Sequence, residues 1–169
     1  MKRNIDAFEY AGTILKAIGN GALLTAKADG RVNSMSIGWG SLGIEWNLPV
    51  CIVYVRESRF TRELLDKNPE FTVNVPLGEC DPYILNLCGT RSGRELDKIA
   101  ELGLTAVEGE TVSVPAIREL PLTLECRVVS RLPQEARNLA QPHFGKHYPD
   151  PIDPHIAYYG EITAAYILE

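Results

Sequence analysis

The sequence predicts a mainly β fold in which short helices connect the strands of a mostly antiparallel barrel. Asp29-Gly30 separates two strand-like segments, and Asp-Gly is a strong signal for a two-residue hairpin because both central residues must tolerate a positive φ. Hairpin connections outnumber β-α-β units along the chain, which favours an antiparallel architecture. No G-x-G-x-x-G motif follows the first strand, which disfavours a Rossmann domain.

The composition predicts one globular domain spanning residues 1–169. The hydrophobic content is 45% and the charged content 23%, as in ordinary soluble proteins. The net charge of −5 argues against a nucleic-acid-binding protein, which usually carries a basic face. No apolar run approaches the ~20 residues that span a bilayer, and no apolar segment follows the basic residues at the N-terminus. We therefore expect a cytoplasmic protein without membrane or nucleic-acid partners.

The four cysteines do not indicate a disulfide framework or a zinc site, because they are widely spaced and form no C-x-x-C pair. Cys51 and Cys126 lie inside apolar runs and are predicted to be small core residues. Cys80 and Cys88 flank a predicted helix, and we expect them to be partly exposed.

The three histidines fall in one proline-rich segment. His143 and His147 are spaced i, i+4, a spacing that on a helix can bind a metal ion. Four nearby prolines oppose a continuous helix, and no carboxylate completes a ligand set. We predict no metal site, and we expect these histidines, with His155, to be surface or packing residues unless the loop folds over a bound cofactor.

Periodicity and local signals predict the elements of the first half of the chain. A helical stripe covers residues 6–18, and a strand covers residues 22–28. The second arm of the hairpin runs over Val32–Ser41, and the apolar run Val50–Val55 predicts a strand buried on both faces. Ser58 is predicted to cap a helix that continues to about Lys67.

The second half continues with more strands. Residues 71–75 alternate as in a strand, and Asp81-Pro82 opens a short helix that Gly89 closes. Three further β segments are predicted over residues 104–108, over 113–130 with interruptions at Pro115 and Pro121, and over 155–168, where Tyr158, Gly160, Ile162, Ala164, Tyr166 and Leu168 share one face. Residues 133–154 are irregular and proline-rich, which at this length favours a functional loop or lid.

The segment Cys88–Lys98 carries the strongest chemical signal. Ser92 and Glu95 fit a capping box, which predicts a helix over residues 92–102. A helix N-terminus offers unpaired N–H groups and a partial positive charge, and Arg91, Arg94 and Lys98 add full charges. The segment is therefore a candidate anion site; the alternative is a capped surface helix with solvated basic side chains.

The segment Asn33–Trp39 is the second candidate. A strand rich in small and hydroxyl residues packs poorly as core, and an isolated glycine in a strand often marks the close approach of a ligand. Such a strand presents backbone N–H and C=O groups to a flat ring, with Met35 or Trp39 available to cover it. The alternative is a half-exposed edge strand with Trp39 as an ordinary core aromatic.

Together these pieces resemble the flavin reductase family, whose fold is the split barrel that binds flavin mononucleotide (FMN). Three blocks carry the resemblance in the expected order: Asn33–Trp39, Arg56–Thr61 and Gly89–Lys98. The strand end Val73-Asn74-Val75-Pro76 also fits. The resemblance covers about residues 10–130 and is weaker beyond, where residues 133–154 form an elaborated loop.

The resemblance implies a homodimer with one FMN per subunit near the dimer interface. By this analogy the strand from Ser34 to Trp39 hydrogen-bonds the flavin ring edge through its main chain, and Ser58, Arg59 and Thr61 hold the phosphate. The segment Thr90–Lys98 borders the same site. The candidate cofactor-binding residues are Asn33, Ser34, Met35, Ser36, Ile37, Trp39, Ser58, Arg59, Thr61, Gly89, Thr90, Ser92, Gly93 and Lys98.

The expected activity is that of a flavin reductase, in which NADH or NADPH gives hydride to the flavin and an acceptor takes the electrons. The cofactor supplies this chemistry, so we assign no catalytic residue. Three alternatives stay open: a flavoredoxin-like electron carrier with a protein redox partner, a reductase of another acceptor such as ferric iron or a quinone, and a split-barrel binding protein without flavin.

Overall fold

A computed structural model describes residues 1–169 as an eight-stranded antiparallel sheet with short helices and one separate two-stranded ribbon, which confirms the predicted mostly antiparallel β fold. The strands are β1 (Lys2–Asn4), β2 (Ala22–Ala28), β3 (Arg31–Ile37), β4 (Gly40–Glu45), β5 (Leu48–Arg56), β6 (Glu70–Val75), β7 (Ala106–Val107), β8 (Ala116–Ile117), β9 (Leu122–Pro133) and β10 (His155–Leu168). The helices are α1 (Ala11–Asn20), α2 (Phe60–Lys67), α3 (Pro82–Thr90), α4 (Lys98–Glu101) and α5 (His143–His147). None of them is long and apolar enough to cross a bilayer.

The strands of the large sheet follow the order β3-β2-β6-β9-β10-β5-β4, and β1 pairs with the end of β10. Strand β10 pairs with both β9 and β5, and its register with β9 shifts twice, after Tyr159 and after Ile162. These irregularities bend the strand. The bend divides the predicted single face of β10, so that Tyr158 packs in the main core and Tyr166 in a small separate cluster.

Strand β2 is buried on both faces, and elements beside the candidate site pack against it. Leu24 faces the main core, and Leu23 belongs to a second cluster that includes Ile84 and Cys88 of α3. Helix α3 therefore packs against β2 and β3 on the outer side of the sheet, and the segment that follows α3 is held beside β3.

All four cysteines are free thiols. Cys51 and Cys126 are fully buried, as predicted. Cys80 is half-buried, but Cys88 is completely buried, so the expected partial exposure of Cys88 is wrong because the second cluster covers it.

Two strand predictions need correction. The predicted arm Val32–Ser41 is two strands: β3 pairs with β2 and ends at Ile37, and β4 pairs with β5 and begins at Gly40. Trp39 therefore lies at the corner where the chain changes partners. Strand β5 is not buried on both faces, because Ile52 and Tyr54 are only half-buried on the face away from the core. The local hydrophobic run could not reveal that this face is left partly open.

The predicted N-terminal helix starts late. Residues 7–10 form turns, and α1 runs from Ala11 to Asn20. The Asp29-Gly30 hairpin is confirmed, with φ of 51° at Asp29 and 74° at Gly30. The start of α3 is confirmed too, because the Asp81 side chain accepts a hydrogen bond from the backbone N–H of Tyr83, and the helix ends one residue after Gly89.

The ends of the other predicted strands also differ. The segments expected over residues 104–108 and 113–130 become the short ribbon β7–β8 and the long strand β9, with breaks around Pro115 and Pro121 as predicted. Residues 133–154 contain a 3₁₀ turn at Ala136–Asn138 and the short helix α5. The prolines thus limit helix formation here to five residues.

The predicted helix over residues 92–102 is wrong. Only α4 forms, and the side chain of Asp97 caps it by accepting a hydrogen bond from the N–H of Ala100. Ser92 instead begins a turn in which its hydroxyl accepts a hydrogen bond from the N–H of Arg94. Long-range hydrogen bonds replace the helix, because Arg31 donates to the carbonyl of Gly93 at 2.6 Å.

Candidate functional site

The fold brings the predicted site residues to two adjoining cavities, which share Met35, Arg56 and Arg59. We call the first, of about 230 Å³, the cationic cavity, because Arg56, Arg59, Arg91, Arg94 and Lys98 line it. The second, of about 200 Å³, follows the end of β3 and is called the strand cavity. Every predicted residue except Ser34 and Gly89 lines one of them: Asn33, Met35, Ser58, Arg59, Thr61, Thr90, Ser92, Gly93 and Lys98 the cationic cavity, and Met35, Ser36, Ile37, Trp39 and Arg59 the strand cavity.

Ser34 and Gly89 lie behind the cavity walls and act through their neighbours. The Ser34 hydroxyl shares a hydrogen bond of 2.7 Å with Thr25, and both residues are fully buried. The carbonyl of Ser34 accepts a hydrogen bond from Lys98, and the carbonyl of Gly89 accepts one from Arg59 at 2.9 Å. Both carbonyls therefore fix cationic side chains in position.

Lys98 is the most unusual residue of the cationic cavity. Its ammonium donates to the carbonyls of Ser34 (3.0 Å) and Cys88 (2.9 Å), and only 3% of the residue is exposed. No carboxylate pairs with it, so one of its three N–H donors has no acceptor in the protein. Burial lowers the pKa of Lys98 below its ordinary value, and the nearby guanidinium of Arg59 lowers it further. Buried charges are normally paired with an opposite charge, so an anionic ligand would stabilise this ammonium.

Backbone carbonyls hold most of the other cations of the cavity, and one of them also pairs with an acid. Arg94 forms an ion pair of 2.5 Å with Glu63 and also donates to the carbonyl of Ser58. Arg59 donates to a backbone carbonyl and pairs with no carboxylate, and Arg91 is exposed. The cavity therefore has a clear excess of positive charge.

Asp153 contributes the one carboxylate of the cavity, and it occupies donors that the sequence assigned to a phosphate. It accepts hydrogen bonds from the Ser58 hydroxyl at 2.6 Å and from the Ser58 N–H at 3.2 Å. The predicted capping role of Ser58 is wrong, because the residue before α2 is Arg59 and no side chain caps the helix. Arg56 holds the same loop by donating to the carbonyls of Asp153 and His147.

Gly93 forms a tight part of the cavity wall. A Cβ at this position would overlap the side-chain amide of Asn33 and lie 2.9 Å from the Phe60 ring. The Asn33 amide in turn donates to the Thr61 hydroxyl at 2.9 Å, and both residues are almost fully buried. This chain of contacts locks β3, α2 and the segment after α3 together at the cavity.

The hydroxyls of Thr90 and Ser92 also make local contacts. Thr90 donates to the carbonyl of Asn86, one turn earlier in α3, and Ser92 accepts from a backbone N–H within its own turn. Both residues also line the cationic cavity.

Aromatic side chains border the strand cavity. The Trp39 ring lies 4.8 Å from the ring of His155 and 5.1 Å from that of His147. The Tyr148 hydroxyl shares a hydrogen bond of 2.7 Å with Nδ1 of His155. Burial, and next the guanidinium of Arg56, lowers the pKa of His155 to about 4, so its imidazole is neutral at pH 7. Two of the histidines thus lie beside the candidate cofactor site, and no group of His, Cys, Asp and Glu side chains in the chain is arranged to hold a metal ion.

A third and larger cavity, of about 880 Å³, shares Gly38, Trp39 and Tyr54 with the strand cavity. We call it the apolar cavity, because eight of its 15 lining residues are hydrophobic. The three cavities are therefore arranged in sequence, from cationic through half-polar to apolar.

This arrangement fits FMN, which has a phosphate at one end and a flat apolar ring at the other. The cationic cavity offers an unpaired ammonium and a guanidinium without an acid partner, Lys98 and Arg59, for the phosphate. The strand cavity offers Met35 and Trp39 beside the main chain at the end of β3 for the ring.

Sequence reasoning missed Asp153 and Tyr148, and it quoted Arg56 without assigning it a role. Ser58 and Asp153 lie 95 residues apart, so no local pattern links them. The one available signal was the length of the proline-rich loop, which indicated a functional element but not its contacts.

Comparison with known proteins finds two flavoredoxins and an NADH:FAD oxidoreductase among the similar structures. The chain is 32% identical to the flavoredoxin of Methanosarcina acetivorans, with a TM-score of 0.66 over 88% of this chain and 68% of that one. It is 24% identical to the flavoredoxin of Desulfovibrio vulgaris, with a TM-score of 0.68 over 88% of this chain and 69% of that one. The structure of an NADH:FAD oxidoreductase from Streptomyces globisporus has the same fold at 15% identity, with a TM-score of 0.66 over 88% of this chain and 75% of that one.

Two curated relatives without an assigned function also match. One, from Archaeoglobus fulgidus, is 36% identical over 94 residues, which are 52% of each chain. The Escherichia coli protein YddH is 32% identical over 100 residues, 59% of this chain and 52% of YddH. The chain thus spans about half the length of the curated relatives it matches. The family model for the flavin reductase like domain matches residues 19–169, and the chain therefore belongs to the flavin reductase-like family.

Proposed function

We propose that this protein binds FMN and works as an NAD(P)H-dependent flavin oxidoreductase. The observation that carries the proposal is the buried ammonium of Lys98, which faces the cationic cavity with one unpaired donor and no carboxylate partner. A phosphate group would neutralise this charge and accept a hydrogen bond from the unpaired N–H. Charge-assisted hydrogen bonds of this kind are about twice as strong as neutral ones.

The residues divide the binding of FMN between two cavities. Lys98 and Arg59 hold the phosphate, with the hydroxyls of Thr90 and Ser92 beside them. The main chain at the end of β3, from Met35 onward, supports the ring edge, and Met35 and Trp39 cover ring surface. Bound flavin supplies the redox chemistry by taking hydride and releasing electrons. The protein binds, orients and shields it, so no side chain needs to act as a nucleophile or a general base.

The proposal includes a homodimer, as the family resemblance implies. The exposed side chains of Ile44 and Trp46, 66% and 55% accessible at the tip of the β4–β5 hairpin, are large apolar groups that a second subunit would cover. The proposal also assigns the protein to the cytoplasm, where nicotinamide nucleotides are available and free thiols such as these four persist.

A second candidate function is that of a flavoredoxin-like electron carrier, which retains FMN and exchanges electrons with a protein. The similarity to two flavoredoxins, one at 32% identity, favours it. The two candidates differ in one property: a reductase oxidises NADH or NADPH rapidly, and a carrier does so weakly or not at all.

An absorption spectrum tests the proposal. Protein purified without added cofactor is measured alone, then with FMN, and then with NADH or NADPH under anaerobic conditions. Flavin bands that bleach with nucleotide support the reductase, and bands that nucleotide does not bleach support the carrier. A protein that binds no flavin in any sample would contradict both.

The phosphate assignment is tested by charge reversal. Arg59→Glu is expected to weaken FMN binding by about 100-fold or more, because it replaces a half-buried cation of the proposed phosphate site with a repelling anion. Lys16→Glu is the matched control, since Lys16 is exposed on α1 and lines neither the cationic nor the strand cavity. Unchanged FMN affinity in Arg59→Glu would contradict the assignment.

A further inference from the structure

We propose that the apolar cavity binds a neutral, apolar ring compound of the quinone type as the electron acceptor. This inference rests on the proposed function and names its acceptor class. The cavity, of about 880 Å³, falls within the usual range of small-molecule sites. It lies between α1, Tyr54 of β5, the end of β9 and residues 134–139 of the loop that follows β9.

The position of the cavity gives a ligand access to the flavin site. Gly38, Trp39 and Tyr54 line both the apolar cavity and the strand cavity. Trp39 and Tyr54 are therefore the aromatic side chains common to the apolar cavity and to the proposed position of the flavin ring.

The apolar cavity differs in charge from the cationic cavity at the other end of the site. The apolar cavity is lined by no lysine or arginine, and Glu135 is its one charged residue. A sulfonate, a carboxylate, an anionic ferric chelate or the pyrophosphate of a dinucleotide would meet this carboxylate without a compensating cation. Burying an unpaired charge is costly, whereas a neutral ring loses little on leaving water. The lining therefore favours neutral compounds over anions.

The lining also provides apolar surface that a ligand would cover. The side chains of Leu15, Trp39, Leu132 and Leu139 line the cavity, and they are 42%, 40%, 57% and 40% exposed, respectively. Gln134 and Asn138 are the amide side chains in the wall, and their N–H groups are suitable donors to carbonyl oxygens. A mostly apolar wall with a few polar groups is the common form of a site for a small carbonyl-bearing ring.

The net reaction balances with the donor already proposed. NAD(P)H gives two electrons and one proton as hydride, and solvent gives a second proton. The quinone takes up both electrons and both protons, so its two carbonyl oxygens become hydroxyls and NAD(P)⁺ is released. The protein needs only to hold the acceptor ring in reach of the flavin site.

Calorimetric titration of the FMN-loaded protein tests the inference by direct binding. The ligands are 1,4-naphthoquinone and its 2-sulfonate, which differ in one negative charge. We expect the neutral compound to bind at least 10-fold more tightly than the sulfonate. Glu135→Lys should reduce this difference in affinity, because it replaces the carboxylate that repels the sulfonate with a cation. Leu139→Glu should weaken binding of the neutral compound by at least 10-fold, with FMN affinity unchanged.

Leu77→Glu is the matched control, since Leu77 is similarly exposed and lies outside the apolar cavity. Equal affinity for the two naphthoquinones, absence of quinone binding, or an unaltered affinity in Leu139→Glu would overturn the inference and leave FMN binding standing. Absence of FMN binding would overturn the proposed function instead, and the acceptor assignment with it.

Discussion

The carboxylate of Asp153 accepts two hydrogen bonds from Ser58, one from its hydroxyl at 2.6 Å and one from its backbone N–H at 3.2 Å. These are donors of the kind that binds a phosphate. The long loop therefore brings an internal anion to the cationic cavity, and Arg56 fixes it there through the carbonyl of Asp153. The ligand phosphate must either share the cavity with this carboxylate or displace it from Ser58.

The first prediction concerns this internal anion. Asp153→Asn is expected to tighten FMN binding by about fivefold, because removal of a like charge near the phosphate gains about 1 kcal/mol. FMN titration followed by flavin fluorescence measures the change. Asp150→Asn is the control, since Asp150 is an exposed carboxylate of the same loop and does not line the cationic cavity. Weaker binding in Asp153→Asn would show that the carboxylate supports the site instead of competing with phosphate.

The second prediction concerns the buried ammonium. Lys98→Met should reduce FMN affinity on the order of 100-fold, because a buried charged partner of the phosphate is lost. It should also destabilise the FMN-free protein by about 1–3 kcal/mol, since the carbonyls of Ser34 and Cys88 lose their donor. FMN titration and urea unfolding separate the two effects. Lys27→Met serves as the control, and an FMN affinity equal to that of the wild type would exclude Lys98 from phosphate binding.

The third prediction concerns the close packing at Gly93. Gly93→Ala is expected to reduce both stability and FMN affinity, because the added Cβ would collide with Asn33 and the Phe60 ring. The expected loss of stability is about 1–3 kcal/mol by analogy with other overpacked sites. Gly12→Ala is the matched control, since a Cβ there meets no atom within 4 Å. A Gly93→Ala protein with the urea midpoint and FMN affinity of the wild type would contradict the close packing at Gly93.

The fourth prediction concerns pH. The pKa of His155 is lowered to about 4 in the folded protein, whereas an unfolded histidine titrates near 6.5. The folded state therefore binds its proton less readily, so this residue's contribution is complete above about pH 6.5 and is lost as the pH falls toward 4. The loss amounts to about 3 kcal/mol for a shift of this size.

Urea unfolding at pH 7 and pH 4.5 measures this contribution. The difference in unfolding free energy between the two pH values should be smaller in His155→Asn than in the wild type, because the variant lacks the titrating group. Groups that remain in both proteins, such as Arg56, Asp153 and His147 near the imidazole, cancel in this comparison. An identical pH dependence in the two proteins would show that His155 is not buried in its neutral form.

Local signals predicted those elements whose causes lie within a few residues. The Asp29-Gly30 turn follows from backbone conformations that these two residues adopt, and Asp81 caps α3 through a neighbouring N–H. The capping box at Ser92 is the instructive failure, because the same local rule predicted a helix that does not form. There Arg31 donates a hydrogen bond to the carbonyl of Gly93, and Arg94 donates one to the carbonyl of Ser58. These long-range bonds outweigh the local preference for a helix.

The sequence by itself determined the antiparallel β class, the family and the short list of residues around the site, because alternation, turn chemistry and short motifs are encoded by adjacent residues. Only the tertiary structure decided the roles within that list. Lys98 meets the carbonyl of Ser34 across 64 residues, and Asp153 meets Ser58 across 95. Such pairs depend on sheet register and on how the long loop packs, and both are set by burial over the whole chain and not by any local pattern.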